Sequence, residues 1–190
     1  HQPPHIGFAG RIMPQKNPLA LVNILARLSD LPWQATLAGD GPLYPAVKQA
    51  VQSHHLEGRI RLPGWVTPEE VIALFGKGDL LFMPSLSEGF PIAGVQALGM
   101  GLAIVASQVG GFVDLVQQGD NGMLHFPDQL HAMELSLRQI LSDPELLLQM
   151  RRRSRELAGQ FDLAGIVDRY EEIFAQVAHP LDFPSSRTVR

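Results

Sequence analysis

Two cations follow the first apolar run of the chain: Arg11 comes directly after Gly10, and Lys16 lies five residues further on. Paired cations just past a strand can neutralise a phosphate or diphosphate. On spacing alone they are equally readable as solvated surface charges. A carboxylate, Glu88, stands in a polar turn, Ser87-Glu88-Gly89, after the apolar run Leu80 to Met83. Phe90, Pro91 and Ile92 come next, and Pro91 can open a helix because proline has a preset φ and tolerates the first turn. Free N–H groups near Ile92 and Ala93 would then share Glu88's space and favour an anion there. Gln96, eight residues after Glu88, falls on the second turn of that helix. A carboxylate that accepts and an amide that both donates and accepts can thus face one ligand, although singly each is an ordinary surface residue.

Other candidates also sit just past apolar runs. Gly39-Asp40-Gly41-Pro42 follows one, and Gly110-Gly111 follows another. Such glycines let backbone approach a ligand or form an anion nest, or they make turns and nothing more. Trp65, after Pro63-Gly64, can stack on a base or serve as edge packing. Arg151, Arg152, Arg153 and Arg155 form a basic cluster on a helical stretch. It reads as a solvated face or as a contact for an acidic membrane surface. With no interleaved aromatics it does not make a nucleic-acid site. The histidines show no metal-ligand spacing, and no Ser-His-Asp order stands out.

These residues need a scaffold that places strand ends together. Strand-like runs are predicted at 6–9, 34–38, 60–62, 79–83, 103–106 and 122–126, alternating with helical spacings such as Leu21, Ile24, Leu25 and Leu28. Thr67 can cap a helix with Pro68 first and Glu69 and Glu70 in its opening turn. From Leu130 to Ala178 the pattern is helical, broken near Asp143-Pro144 and between Gly159 and Leu163. Alternation of this kind predicts an α/β fold, a Rossmann-like parallel sheet of about six strands with helices on both faces and the C-terminal helices packed alongside. Ligands of such sheets bind outside the carboxyl ends of the strands. The expected organisation is a linker at 1–5, one domain at 6–178 and a tail at 179–190.

The bulk composition agrees with a packed core: 190 residues, 45% hydrophobic and 18% charged. A net charge of −4 gives no sign of general nucleic-acid affinity. Cysteine is absent, which excludes disulfides and thiolate metal sites and suits a reducing compartment. No apolar run approaches the roughly 20 residues needed to span a bilayer.

In order, the segments Phe-Ala-Gly-Arg-Ile-Met-Pro-Gln-Lys-Asn, Leu-Ala-Gly-Asp-Gly-Pro-Leu, Arg-Ile-Arg-Leu-Pro-Gly-Trp-Val, Met-Pro-Ser-Leu-Ser-Glu-Gly-Phe-Pro-Ile, Ile-Val-Ala-Ser-Gln-Val-Gly-Gly and Gly-Asp-Asn-Gly-Met-Leu resemble the C-terminal, donor-binding domain of retaining glycosyltransferases of family 4, with the GT-B fold. The resemblance runs from about Ile6 to Ala178. It implies that Arg11 and Lys16 hold a donor diphosphate and that Glu88, the first glutamate of the E-x7-E motif, holds sugar hydroxyls. It also implies that the backbone of Gly89, Phe90, Pro91 and Ile92 meets sugar and phosphates, and that the segment carrying Trp65 and Val66 contacts the base. Gly10, Ser87 and the glycines at 39, 41, 110 and 111 complete the expected donor site. The motif's second glutamate, a ribose ligand, is Gln96 here, and Asp114 stands where the family usually has Glu.

A UDP-, GDP- or ADP-linked sugar is the expected partner, with no metal or other cofactor. Family members keep the acceptor in a separate N-terminal domain, so this chain reads as a donor-binding piece, cytoplasmic and in contact with a membrane at most peripherally, and inactive alone. Two other readings stand beside this one: a nucleotide-sugar 2-epimerase of GT-B type, and a non-catalytic nucleotide-binding or scaffolding domain.

Overall fold

The computed structural model describes residues 2–161 and 163–177. Six strands, β1 (His5–Ala9), β2 (Gln34–Ala38), β3 (Ile60–Gly64), β4 (Leu80–Met83), β5 (Ala103–Ser107) and β6 (Gly122–His125), pair in parallel in the order β3-β2-β1-β4-β5-β6. Strand β1 is bonded on both sides, with Phe8 opposite Leu37 of β2 and Gly7 opposite Leu81 of β4. The chain builds outward from β1 to β3, then returns to the other flank of β1 to lay down β4. The strand order therefore reverses between β1 and β4, where an open α/β sheet leaves a crevice at its carboxyl ends.

Continuous apolar runs fit strands covered on both faces. Leu80, Leu81 and Phe82 of β4 are fully buried, as are Ile104 and Val105 of β5. The connecting helices are α1 (Pro18–Arg27), α2 (Tyr44–Ser53), α3 (Pro68–Gly76), α4 (Ile92–Gly99), α5 (Phe112–Leu115), α6 (Leu130–Ser142) and α7 (Pro144–Ala158). Helix α1 buries Leu21, Ile24 and Leu25, the stripe that its spacing predicts. Helix α1 neighbours both α2 and α6, and helix α4 neighbours both α3 and α7. Thr67 and Glu70 close a reciprocal capping box on α3, which leaves no doubt where that helix starts. Asp143 caps α7 through the amides of Glu145 and Leu146.

Several boundaries differ from expectation. Strand β1 begins at His5, inside the stretch read as linker, because His5 pairs with Gln34 of β2; its amide also donates to Asp79 Oδ2 at 2.8 Å. A short 3₁₀ turn, Pro14–Lys16, precedes α1. Pro91 lies one residue before α4 rather than within it. The described residues divide into one unit that runs to Gly159 and another that begins at Gln160. The second unit contains α8 (Leu163–Val177), on which Tyr170, Ile173 and Phe174 are exposed and the Tyr170 and Phe174 rings lie 6.3 Å apart. The expected tail at 179–190 lies outside the described residues.

The arginine cluster is more structural than its sequence suggests. Arg151 pairs with Asp79 at 2.5 Å and donates to the Gly101 carbonyl. Arg153 pairs with Asp120 at 2.7 Å and with Glu156 at 2.9 Å. Two of the four cations thus meet carboxylates of the same chain. Among the described residues no helix is long and apolar enough to cross a membrane.

Candidate functional site

The loops after β1 and β4 meet at the point where strand order reverses. The 3₁₀ turn after β1 delivers Lys16, and the turn after β4 delivers Glu88. Lys16 Nζ donates to both carboxylate oxygens of Glu88 at 2.6 Å. The side chains are 18% and 5% exposed. The buried hydroxyl of Ser85 donates to Glu88 Oε1, also at 2.6 Å. Gln15 ties the same two loops together, since its carbonyl accepts from the Leu86 amide at 2.7 Å and its side chain donates to the Ser87 carbonyl at 3.0 Å.

A cleft of about 380 Å³ opens at this rim. Gly10, Arg11, Gly39, Trp65, Val66 and Gln96 line it, with Ile92 and Ala93 at the start of α4. Arg11 is exposed and forms no ion pair among the described residues. Trp65 is 72% exposed, so it is a free stacking surface and not core packing. A cation, an amide, an indole face and a helix start therefore border one space. Phosphate, hydroxyl and aromatic groups of a single ligand are the chemistry they fit. A larger groove of about 990 Å³ runs along β2, β3 and α3 and shares Trp65 and Val66, but Arg11, Lys16, Glu88 and Gln96 do not border it.

The glycines divide into two roles. Gly10 donates its amide to the Ala38 carbonyl and leaves room for Lys16, whose Cε would lie 3.6 Å from an added Cβ. A Cβ on Gly39 would lie 1.8 Å from the Gly10 carbonyl oxygen, and one on Gly41 would lie 2.6 Å from that of Ile12. A Cβ on Gly110 would fall 2.1 Å from the Glu88 carbonyl oxygen, and the Gly111 amide donates to the Gly89 carbonyl at 2.9 Å. These positions let neighbouring loops touch backbone to backbone, which serves the rim's shape before it serves any ligand. Lys16, Gly41, Ser87, Glu88, Gly89, Phe90, Pro91, Gly110 and Gly111 do not border the 380 Å³ cleft itself; Lys16 and Glu88 meet behind Gly10, whose added Cβ would lie 3.6 Å from Lys16 Cε. Phe90 is 66% exposed. Ser85, Gln15 and Asp40, whose Oδ1 accepts from the Gly41 amide at 2.7 Å, were not foreseen as site residues. A hydroxyl three residues before a loop carboxylate was the available signal for Ser85.

Away from the rim, burial holds the imidazoles of His5 and His125 below the ordinary histidine range. For His5 the nearby Asp79 opposes that shift. His5 Nε2 lies 3.0 Å from Thr36 Oγ1, and His125 Nε2 lies 2.8 Å from Ser136 Oγ. Among the described residues no three His, Asp or Glu side chains cluster as metal ligands would.

With this geometry in place, comparison with known proteins is specific. The sequence profile described as "Glycosyl transferases group 1" matches residues 1–157. A 2-deoxystreptamine glucosyltransferase of Streptomyces kanamyceticus is 31% identical over 180 residues, covering 91% of this chain and 46% of its own length. A D-inositol 3-phosphate glycosyltransferase of Corynebacterium glutamicum is 27% identical and is covered over 42% of its length. The chain thus spans about half the length of the curated relatives it matches. Among solved structures, Anabaena Alr3699/HepE in complex with UDP and glucose superposes with a TM-score of 0.82 at 24% identity, over 92% of this chain and 49% of that one. The C-terminal domain of a group 1 glycosyl transferase (LpcC) from Francisella tularensis gives 0.73 at 21% identity, over 84% and 87%. At these identities the structural likeness speaks to fold.

Proposed function

The chain belongs to the group 1 glycosyl transferases, with the GT-B type of Rossmann-like domain, and on that premise we propose that it is the donor-binding half of a retaining enzyme that moves a sugar from a nucleoside diphosphate to a hydroxyl acceptor. In this reading the diphosphate lies between Arg11 and Lys16, and the sugar hydroxyls face Glu88. Gln96 takes the ribose and the Trp65–Val66 edge takes the base. The leaving diphosphate gains negative charge as the glycosidic bond breaks. An ammonium held beforehand by Glu88, with the guanidinium of Arg11 beside it, stabilises this charge with little reorganisation, which is usually the largest single term in catalysis. No metal is needed for that role. The acceptor sits against a second domain, so this chain alone binds donor and transfers nothing.

One observation carries the reading. Lys16 and Glu88 come from the loops after the two strands that flank the switch point, and they meet at 2.6 Å next to Gly10, which with Arg11 and Gln96 lines the cleft. The solved neighbour with UDP and glucose supports a nucleotide-sugar donor of this kind.

The test is calorimetric titration of the 190-residue chain with UDP, GDP and ADP, with Arg11→Ala in parallel. Binding of one diphosphate that Arg11→Ala weakens at unchanged melting temperature is the expected result. Absence of binding to all three at millimolar concentration would overturn a preformed donor site.

A further inference from the structure

Glu88 has an acceptor inventory that can be counted. An ionised carboxylate offers about four lone-pair positions, two on each oxygen. Oε1 accepts from Lys16 and from Ser85, so both its positions are taken. Among the described residues Oε2 accepts from Lys16 only, which leaves one position open. The ammonium of Lys16 has three protons and directs two at Glu88, which leaves one for a third group. Ser85 is fully buried two residues past the end of β4, and its single proton goes to Oε1.

We propose that Ser85 is a positioning residue: by saturating Oε1 it fixes the Glu88 carboxylate in one rotation and leaves Oε2 to receive a single donor hydroxyl, while the spare Lys16 proton meets an adjacent phosphate oxygen. This rests on the donor-site reading above and adds to it a rule for sugar selectivity. Glu88 reads one hydroxyl and not a neighbouring pair. Without the serine hydroxyl, Oε1 regains an acceptor position and the carboxylate can turn. A second hydroxyl can then be taken in the wrong geometry.

Two measurements on the 190-residue chain test the idea. In the first, UDP and UDP-glucose, GDP and GDP-mannose, and ADP and ADP-glucose are titrated against the parent, Ser85→Ala and Ser85→Thr. For the pair that binds, Ser85→Ala is expected to reduce the affinity gained from the sugar by about five- to tenfold, with the plain diphosphate unaffected and Ser85→Thr restoring the gain. A parallel loss for sugar-bearing and plain ligands would mean a merely structural role and would overturn the proposal. The second is donor-free crystallography of Ser85→Ala. Rotation of the Glu88 carboxylate away from its parent orientation is expected, and an unchanged single orientation would overturn the positioning role. If no diphosphate binds, the donor reading fails while the crystals still decide whether Ser85 orients Glu88.

Discussion

Lys16 and Glu88 lie 72 residues apart in the chain, yet both carboxylate oxygens of one sit 2.6 Å from the ammonium of the other. Neither residue belongs to a regular strand or α-helix. Each is held by a loop whose backbone is anchored to its neighbour, so the pair marks the meeting of the sheet's two halves. With 5% exposure for Glu88, removing only its cation leaves a buried charge with no opposite charge beside it. Lys16→Met is expected to destabilise the chain by about 3–5 kcal/mol. Lys16→Met combined with Glu88→Gln should recover a large part of that loss. Denaturant melts of the singles and the double form the cycle, and additive losses would show that the pair is not coupled.

Arg11 differs, since it is exposed and unpaired among the described residues. Arg11→Ala should leave the denaturation midpoint within about 0.5 kcal/mol of the parent. It should cost about 1.5–3 kcal/mol in diphosphate affinity, the range for a charge-assisted hydrogen bond. Calorimetry and melts on one preparation separate the two effects.

Gln96 borders the cleft as a neutral amide at the position where the resemblance implies a second glutamate. Gln96→Glu is expected to tighten donor binding by about 1 kcal/mol through stronger acceptance from ribose hydroxyls. Weaker binding in the variant, measured by titration with the same diphosphate, would assign a donating role to the glutamine.

The loop glycines predict stability, not binding alone. Gly39→Ala places a Cβ 1.8 Å from the Gly10 carbonyl oxygen at a φ of +143°. Backbone must move, so a loss above about 1 kcal/mol is expected. Gly58→Ala, where an added Cβ meets nothing within 4 Å, serves as the control. Equal melts for the two variants would contradict the close loop packing.

His5 and His125 give a pH dependence. Burial lowers both in the folded chain, so the unfolded chain binds protons more readily. Their contribution to stability is complete above about pH 6.5 and falls as pH drops from there toward the folded values. His5→Gln with His125→Gln should flatten the stability profile between neutral pH and the folded values, and a slope as steep as the parent's would assign it to other groups.

Much of this was legible because the signals were local. Apolar runs bounded by Gly and Pro gave the six strands, and Thr67 with Glu70 fixed one helix start to the residue. The short motifs imply a donor site by resemblance, and of the residues they single out the fold puts Arg11, Trp65 and Gln96 on one cleft. What stayed hidden depends on distances across the sheet. Arg151 finds Asp79 on another element, and the Gly110 backbone lies against the Glu88 backbone. No spacing within one segment encodes such contacts. Ser85 was hidden because it reads as a strand terminator until the turn of Glu88 back over it is seen.

The loops of the rim are stitched in series. Gly39 donates to the Gly64 carbonyl and Gly10 to that of Ala38; Leu86 donates to Gln15 and Gly111 to Gly89, so the ends of five adjacent strands are joined through main chain. Such a rim keeps its relief whether or not anything lies against it. The loss of conformational entropy is met when the chain folds, and little is left to lose when a ligand arrives. A face of this kind can be approached and abandoned repeatedly without being rebuilt, as a printing plate keeps its type between impressions.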